Sequence, residues 1–142
     1  MVDHDIILAK AGSVHKHIDR IKEKISVDQE SFLNDPDRQD IISFNIQMAV
    51  QNSIDIAAHI ISEEGWGVPG SNNEMFYTLE DKGILKRDIV EKMVKAVGFR
   101  NLIVHEYGKL DLKLVYQVAS RDIDDIIQYI TEVITAIGIK PT

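Results

Sequence analysis

DPDRQDIISFNIQMAVQNSIDIAAHII, residues 35–61, is the stretch on which the fold turns. Asp35 can cap a helix, and Pro36 suits its first turn, where the missing N–H has no intrahelical partner to lose. Behind them Ile41, Phe44, Met48, Gln51, Ile54, Ala58 and Ile61 fall near one face of a helix running to about Ile61 or Ser62. Ile42, Ile46, Val50 and Ile56 lie on other sides of it. The β-branched residues keep helical spacing and never settle into the alternation of a strand. A helix that is apolar on more than one side is buried between neighbours or used at a subunit interface.

The flanking segments read the same way. Ile7, Ala11, Val14, Ile18, Ile21 and Ile25 form a single stripe, which predicts a helix from about Asp5 to Ser26. Glu63 to Gly70 holds Gly65, Gly67, Pro69 and Gly70, a loop in which Trp66 covers apolar surface. Ser71 and Glu74 make a capping box that opens a short helix with Met75, Phe76 and Leu79, closed by Gly83. A further helix is expected from about Lys86 to Val104, burying Ile89, Val90, Met93, Val94 and Val97. The last is expected from near Asp111 to about Ile137, with the stripe Val115, Val118, Ile123, Ile126, Ile130, Val133 and Ile137, stopped by Gly138 and Pro141. Four long helices and one short one, with short connections, predict an all-α up-down bundle.

The composition sets the bounds. At 142 residues, 44% of them hydrophobic, the chain suits one domain over residues 1–142 with a substantial core, and disorder is excluded. No apolar run reaches the ~18 residues that span a bilayer. The first residues are acidic where a secretory leader would be basic, so a soluble, cytoplasmic protein with no membrane partner is expected. Cysteine is absent, which removes disulfides, thiolate metal sites and cysteine nucleophiles together. The net charge of −7 opposes non-specific grip on nucleic acid, but residues 82–113 carry +4, leaving −11 elsewhere. A solvated helix face accounts for that asymmetry equally well.

One triplet has a chemical kit. Within Phe99-Arg100-Asn101-Leu102-Ile103-Val104-His105-Glu106-Tyr107-Gly108, Arg100 offers a permanently charged planar donor for phosphate. His105 titrates near neutral pH and can move a proton, and Tyr107 brings a hydroxyl and a stacking face. Metal-free phosphodiester cleavage needs such groups: a base for the 2′-hydroxyl and a cation for the charge that develops on phosphate. Asn101 and Glu106, beside the triplet, are placed as supporting residues. At ~100° per residue, however, His105 lies about 140° round the helix from Arg100, while Tyr107 shares the Arg100 face. Either the helix ends near His105, which Gly108 favours, or a second subunit completes the site. The alternative is a capped helix end, with Arg100 paired to a carboxylate and Tyr107 packed in the core.

The remaining candidates are weaker. His15 and His17 are two apart and cannot chelate one ion, His59 reads as a partly exposed or hydrogen-bonded helix residue, and His4 lies at an end. No metal site is expected, since neither His-x-x-x-His nor Glu-x-x-His repeats occur. The glycine-rich loop lacks the Lys-Ser/Thr of a phosphate-binding loop and follows a helix rather than a strand. Arg38, Asp40 and Asp55 line a polar site or form ordinary ion pairs.

The stretch Gly67-Val68-Pro69, then Phe76, Gly83-Ile84-Leu85 and above all Gly98-Phe99-Arg100-Asn101-Leu102-Ile103-Val104-His105-Glu106-Tyr107 resembles the HepT-like branch of the HEPN superfamily. The resemblance covers nearly the whole chain, including the helix order. It implies a HEPN-type bundle forming a two-fold homodimer whose motifs share a cleft. It also implies a metal-independent endoribonuclease toxin, needing no cofactor, that cleaves RNA through Arg-x4-His-x-Tyr. The implied partner is an MntA-type nucleotidyltransferase antitoxin, which silences the toxin by adding AMP to the motif tyrosine. By position, Arg100 and His105 are then the catalytic pair and Tyr107 the AMP acceptor. The alternative is a non-catalytic nucleotide-binding subunit that docks a nucleotidyltransferase, which the acidic net charge suits. It would use Arg100 for phosphate and Tyr107 for a base without proton transfer by His105. A third reading leaves the motif to shape a helix end.

Overall fold

Asp35 caps the central helix as its position predicts, its carboxylate accepting from the Arg38 N–H at 3.1 Å. In the computed structural model, which describes residues 2–138, that helix is α3, Pro36–Glu64. It runs two residues beyond the expected end, to Gly65 at φ 69°, a left-handed conformation that glycine adopts without cost. The other helices are α1 (His4–Ile25), α2 (Gln29–Leu33), α4 (Asn72–Asp81), α5 (Arg87–His105), α6 (Leu112–Gln117) and α7 (Asp124–Ala136). No strand occurs among the described residues, and the bundle is all-α as expected.

Two details depart from the periodicity. Residues 29–33 form the short α2, capped by Asp28, which a five-residue segment is too brief to announce by pattern. The last helix is interrupted by a π turn, Val118–Asp122, between α6 and α7. The wider turn shifts the helical phase by one residue. Ala119 is therefore buried where the stripe points to Val118, which is half-buried. Pro141, expected to stop this helix, lies outside the described residues.

α1 lies along α3, and the pairing is antiparallel, as four polar contacts show. Lys10 meets Asp55, Ser13 meets Asn52, His17 meets Asn45, and the Lys24 carbonyl accepts from Arg38. α5 packs against α3 from another side and carries α4 and α7 with it. The stripe of α1 is buried from Ile7 to Ile21, as expected. On α3 the outcome is more specific. Ile42, Ile46, Ala49, Val50, Ile56, Ala57 and Ile60 are buried, whereas Phe44 is 54% exposed. The face at 41, 44, 48 and 51 is thus the rim of the helix and not its core side, because α1 and α5 approach either flank of it.

Tyr129 of α7 is fully buried and donates to the Ser53 carbonyl of α3 at 2.8 Å, while its ring meets Phe76 of α4 edge-on at 5.5 Å. These contacts tie α7, and through it α4, to the middle of α3. Trp66 is half-buried against the core, with the Lys82 ammonium 5.5 Å over its ring. None of the helices is long and apolar enough to cross a membrane, judged over the described residues.

Candidate functional site

α5 ends at His105 because Glu106 leaves helical geometry, at φ −138° and ψ 38°, and a 3-10 turn follows over Tyr107–Lys109. The break decides where the three motif side chains go. Arg100 is on α5, one turn and more before the end, and reaches α3: Nη2 donates to Gln51 Oε1 at 2.6 Å, and Nη1 to Asn101 Oδ1 at 3.0 Å. Tyr107, swung back by the turn, also reaches α3, its hydroxyl donating to Asp40. Since Asp40 pairs with position 107 and Gln51 with position 100, α3 and α5 run antiparallel. The two anchor points are eleven residues apart on α3, about 16 Å of helix rise.

His105 goes elsewhere. It is exposed, and its imidazole makes no hydrogen bond to another described residue. The ~140° divergence expected from spacing therefore persists in three dimensions: Arg100 and Tyr107 share the α3 side, and His105 does not. Neither feature of the capped-end alternative is present. Arg100 is held by two carboxamides rather than a carboxylate, and Tyr107 is 43% exposed rather than packed in the core.

An open cleft of about 370 Å³ lies along this seam, lined by Asp40, Ser43, Phe44, Gln47, Ile103, Val104 and Tyr107. The Ser43 hydroxyl is buried there without a hydrogen-bond partner. Partial burial, then the hydrogen bond to Asp40 and the charge of that carboxylate, raise the Tyr107 hydroxyl above the ordinary tyrosine value. A larger groove of about 560 Å³ flanks α5 on the side of α6 and α7. It contains Lys92, Lys95 and Phe99 but none of Arg100, His105 and Tyr107; of the three, the smaller cleft is lined by Tyr107 alone.

The supporting residues separate into two groups. Asp40 and Asn101 touch Tyr107 and Arg100 respectively. Glu106 caps α5 through its backbone and has an exposed side chain. Arg38 is spent on structure, pairing with Asp35 at 3.2 Å and donating to the Lys24 carbonyl at 2.6 Å. Asp55 pairs with Lys10 at 3.3 Å and also accepts from Gln51.

The sequence model of the ribonuclease HepT-like family matches residues 14–133, a span that includes the entire motif. This chain belongs to that family. It is 32% identical over 127 residues to the mRNA nuclease HepT of Shewanella oneidensis, covering 89% of this chain and 95% of that protein. It is 28% identical over 115 residues to the tRNA nuclease HepT of Aphanizomenon flos-aquae, covering 81% of this chain and 78% of the other. A solved structure of tri-AMPylated Shewanella oneidensis HEPN toxin in complex with MNT antitoxin matches with a TM-score of 0.86 and 32% identity. That match covers 94% of this chain and 99% of the toxin chain.

In this HepT-like chain, two side chains at the seam escape sequence reasoning. Gln51 falls by spacing in the apolar stripe of α3, and Ser43 has no feature that singles it out. A signal is nonetheless present: Asp40, Ser43, Gln47 and Gln51 recur at intervals of three, four and four, a polar stripe on a helix otherwise rich in isoleucine.

Proposed function

We propose that this chain is a metal-independent endoribonuclease toxin of a toxin–antitoxin pair, working as a two-fold homodimer. Arg100 and His105 carry the cleavage, and Tyr107 is the AMP acceptor for an MntA-type nucleotidyltransferase antitoxin. The observation that carries this reading is that no carboxylate among the described residues neutralises Arg100, while His105 and Tyr107 stand at the surface, the tyrosine with its hydroxyl on Asp40. The relatives named as nucleases and the AMPylated toxin seen with its antitoxin support the same activity and partner.

His105 accepts the proton of a ribose 2′-hydroxyl as that oxygen attacks the adjacent phosphorus. The P–O5′ bond breaks, leaving a 2′,3′-cyclic phosphate and a 5′-hydroxyl end, which takes up a proton. Arg100 stabilises the charge that builds on the phosphate oxygens, which lowers the barrier where a ground-state contact would not. Lys95, Lys109 and Lys113 are exposed and free of ion pairs among the described residues, which suits them to neighbouring phosphates.

A second copy reconciles the divergent directions of Arg100 and His105, since a two-fold axis can bring residues from both chains to one substrate. Phe44 and Val104, exposed by 54% and 40%, line the cleft beside Tyr107 and give that copy an apolar surface to cover. AMP transfer joins the Tyr107 oxygen to the α-phosphorus of ATP and releases pyrophosphate. The product is a bulky phosphodiester whose negative charge sits in the cleft meant for RNA.

The test is RNA cleavage by purified protein in excess EDTA, with His105→Ala alongside. Cleavage by the wild type alone, with cyclic phosphate ends, is expected. Absence of cleavage by folded, unmodified wild type on several RNAs would sink the nuclease reading and leave a nucleotide-binding docking subunit.

A further inference from the structure

Arg100 is the terminus of a chain of polar side chains that begins on α1. Lys10 Nζ is 3.3 Å from Asp55 Oδ2, Gln51 Nε2 donates to Asp55 Oδ1 at 2.9 Å, and Arg100 Nη2 donates to Gln51 Oε1 at 2.6 Å. The direction of each link is forced. An ionised carboxylate only accepts, so Gln51 must turn its NH₂ toward Asp55 and its carbonyl toward Arg100. Asp55, four residues on, spends its charge on Lys10 and does not reach the guanidinium. Asn101 adds a second neutral acceptor at 3.0 Å on Nη1.

The clamp is unusual in what it lacks. A carboxylate at position 51 would hold the guanidinium more strongly, because a full negative charge would then face the full positive one. It would also cancel the charge that a phosphate has to meet. Two carboxamides fix the same planar group through their carbonyl dipoles and leave its full charge in place. Arg100 Nε is buried with no partner among the described residues, so the guanidinium is held through its two terminal nitrogens. Of its five N–H groups, one remains uncommitted on each Nη.

We propose that Gln51 is a positioning residue that holds Arg100 without neutralising it, with Asp55 and Lys10 setting the direction of its amide. The inference rests on the reading of Arg100 as the group that meets phosphate.

Gln51→Glu and Gln51→Met separate charge from shape, with Arg100→Ala as the reference. Cleavage is measured as kcat and KM, fold by thermal melting, and phosphate binding by the salt dependence of single-stranded RNA affinity in a His105→Ala background. Gln51→Glu, which turns a second carboxylate toward Asp55 as well as toward Arg100, is expected to melt below wild type but to stay folded, and to lose about 10²-fold in kcat/KM. Its log–log salt slope should be shallower by about 0.7 for each phosphate no longer neutralised, as that of Arg100→Ala should be. Gln51→Met is expected to keep the slope, since the charge stays, and to lose kcat more than it gains KM. Wild-type cleavage by folded Gln51→Glu beside an inactive Arg100→Ala overturns this inference alone. So does wild-type cleavage by Gln51→Met if the glutamate variant does not fold. Wild-type cleavage by Arg100→Ala overturns the reading of the site beneath it.

Discussion

Tyr129→Phe removes one oxygen from the centre of the bundle and should produce a stability difference that changes sign with pH. The ring is fully buried, and its edge-on contact with Phe76 survives the substitution. What disappears is the hydrogen bond to the Ser53 carbonyl on α3, two residues from Gln51 and Asp55. That carbonyl sits within α3, so it is not left stranded, and the loss should be about 1 kcal/mol. At ~2.1 cal/mol/K per residue the melting temperature falls by about 3 °C. Burial pushes the Tyr129 hydroxyl far above its ordinary value. With the folded value raised, the stability from this group is whole below the unfolded value near 10 and drains away as pH climbs past it. Above about pH 10 the wild type therefore loses up to ~1.4 kcal/mol per pH unit through Tyr129, and the phenylalanine variant does not. Taking ~1 kcal/mol at pH 8, the two should be equally stable near pH 10.6, and the variant the more stable by pH 11. Urea unfolding followed by circular dichroism, at one protein concentration and at several pH values, measures this, since other titrating groups are common to both proteins. A difference that stays constant from pH 8 to pH 11 would refute the buried, protonated hydroxyl on which the reasoning depends.

Gly65→Ala places a side chain where φ is 69° with no neighbour to strike, so its cost is conformational only. A loss of about 1–2 kcal/mol by urea unfolding is expected, and none would remove the left-handed cap of α3. Asp40→Asn takes away the charge and the carboxylate acceptor that, after burial, raise the Tyr107 hydroxyl. Its titration, followed at 295 nm against a Tyr107→Phe control, should move part-way down toward the ordinary tyrosine value; an unmoved titration would show that Asp40 does not face the hydroxyl. Phe44→Arg puts a charge on the exposed rim beside Val104. Sedimentation should then report monomers with full helical content, and a persistent dimer would place the interface on another face.

The candidate site is legible in its residue types more than in its geometry. Arg100, His105 and Tyr107 can be picked out because their spacing and chemistry are local properties of one segment. Asp40 is within reach as a polar residue on α3, but nothing in the chain order says that it lies against Tyr107, 67 residues away. Gln51 is hidden for a physical reason. A glutamine among isoleucines has helical periodicity whether its amide meets solvent or a guanidinium, and only the approach of α5 distinguishes the two.

Chain order alone located the motif and the long helices, though not α2 or the π turn, since caps, glycine stops and apolar periodicity act within a few residues. It also determined that His105 diverges from Arg100, because that follows from helical rotation alone. Tertiary structure decided which face of α3 is core: two flanking helices bury Ile42, Ile46 and Ile56 and leave Phe44 at the rim. The π turn shifted the stripe of the last helix from Val118 to Ala119. The antiparallel crossing of α3 and α5 decided what each motif side chain touches. These outcomes depend on packing between segments far apart in the chain, and such packing has no local periodicity from which to be read.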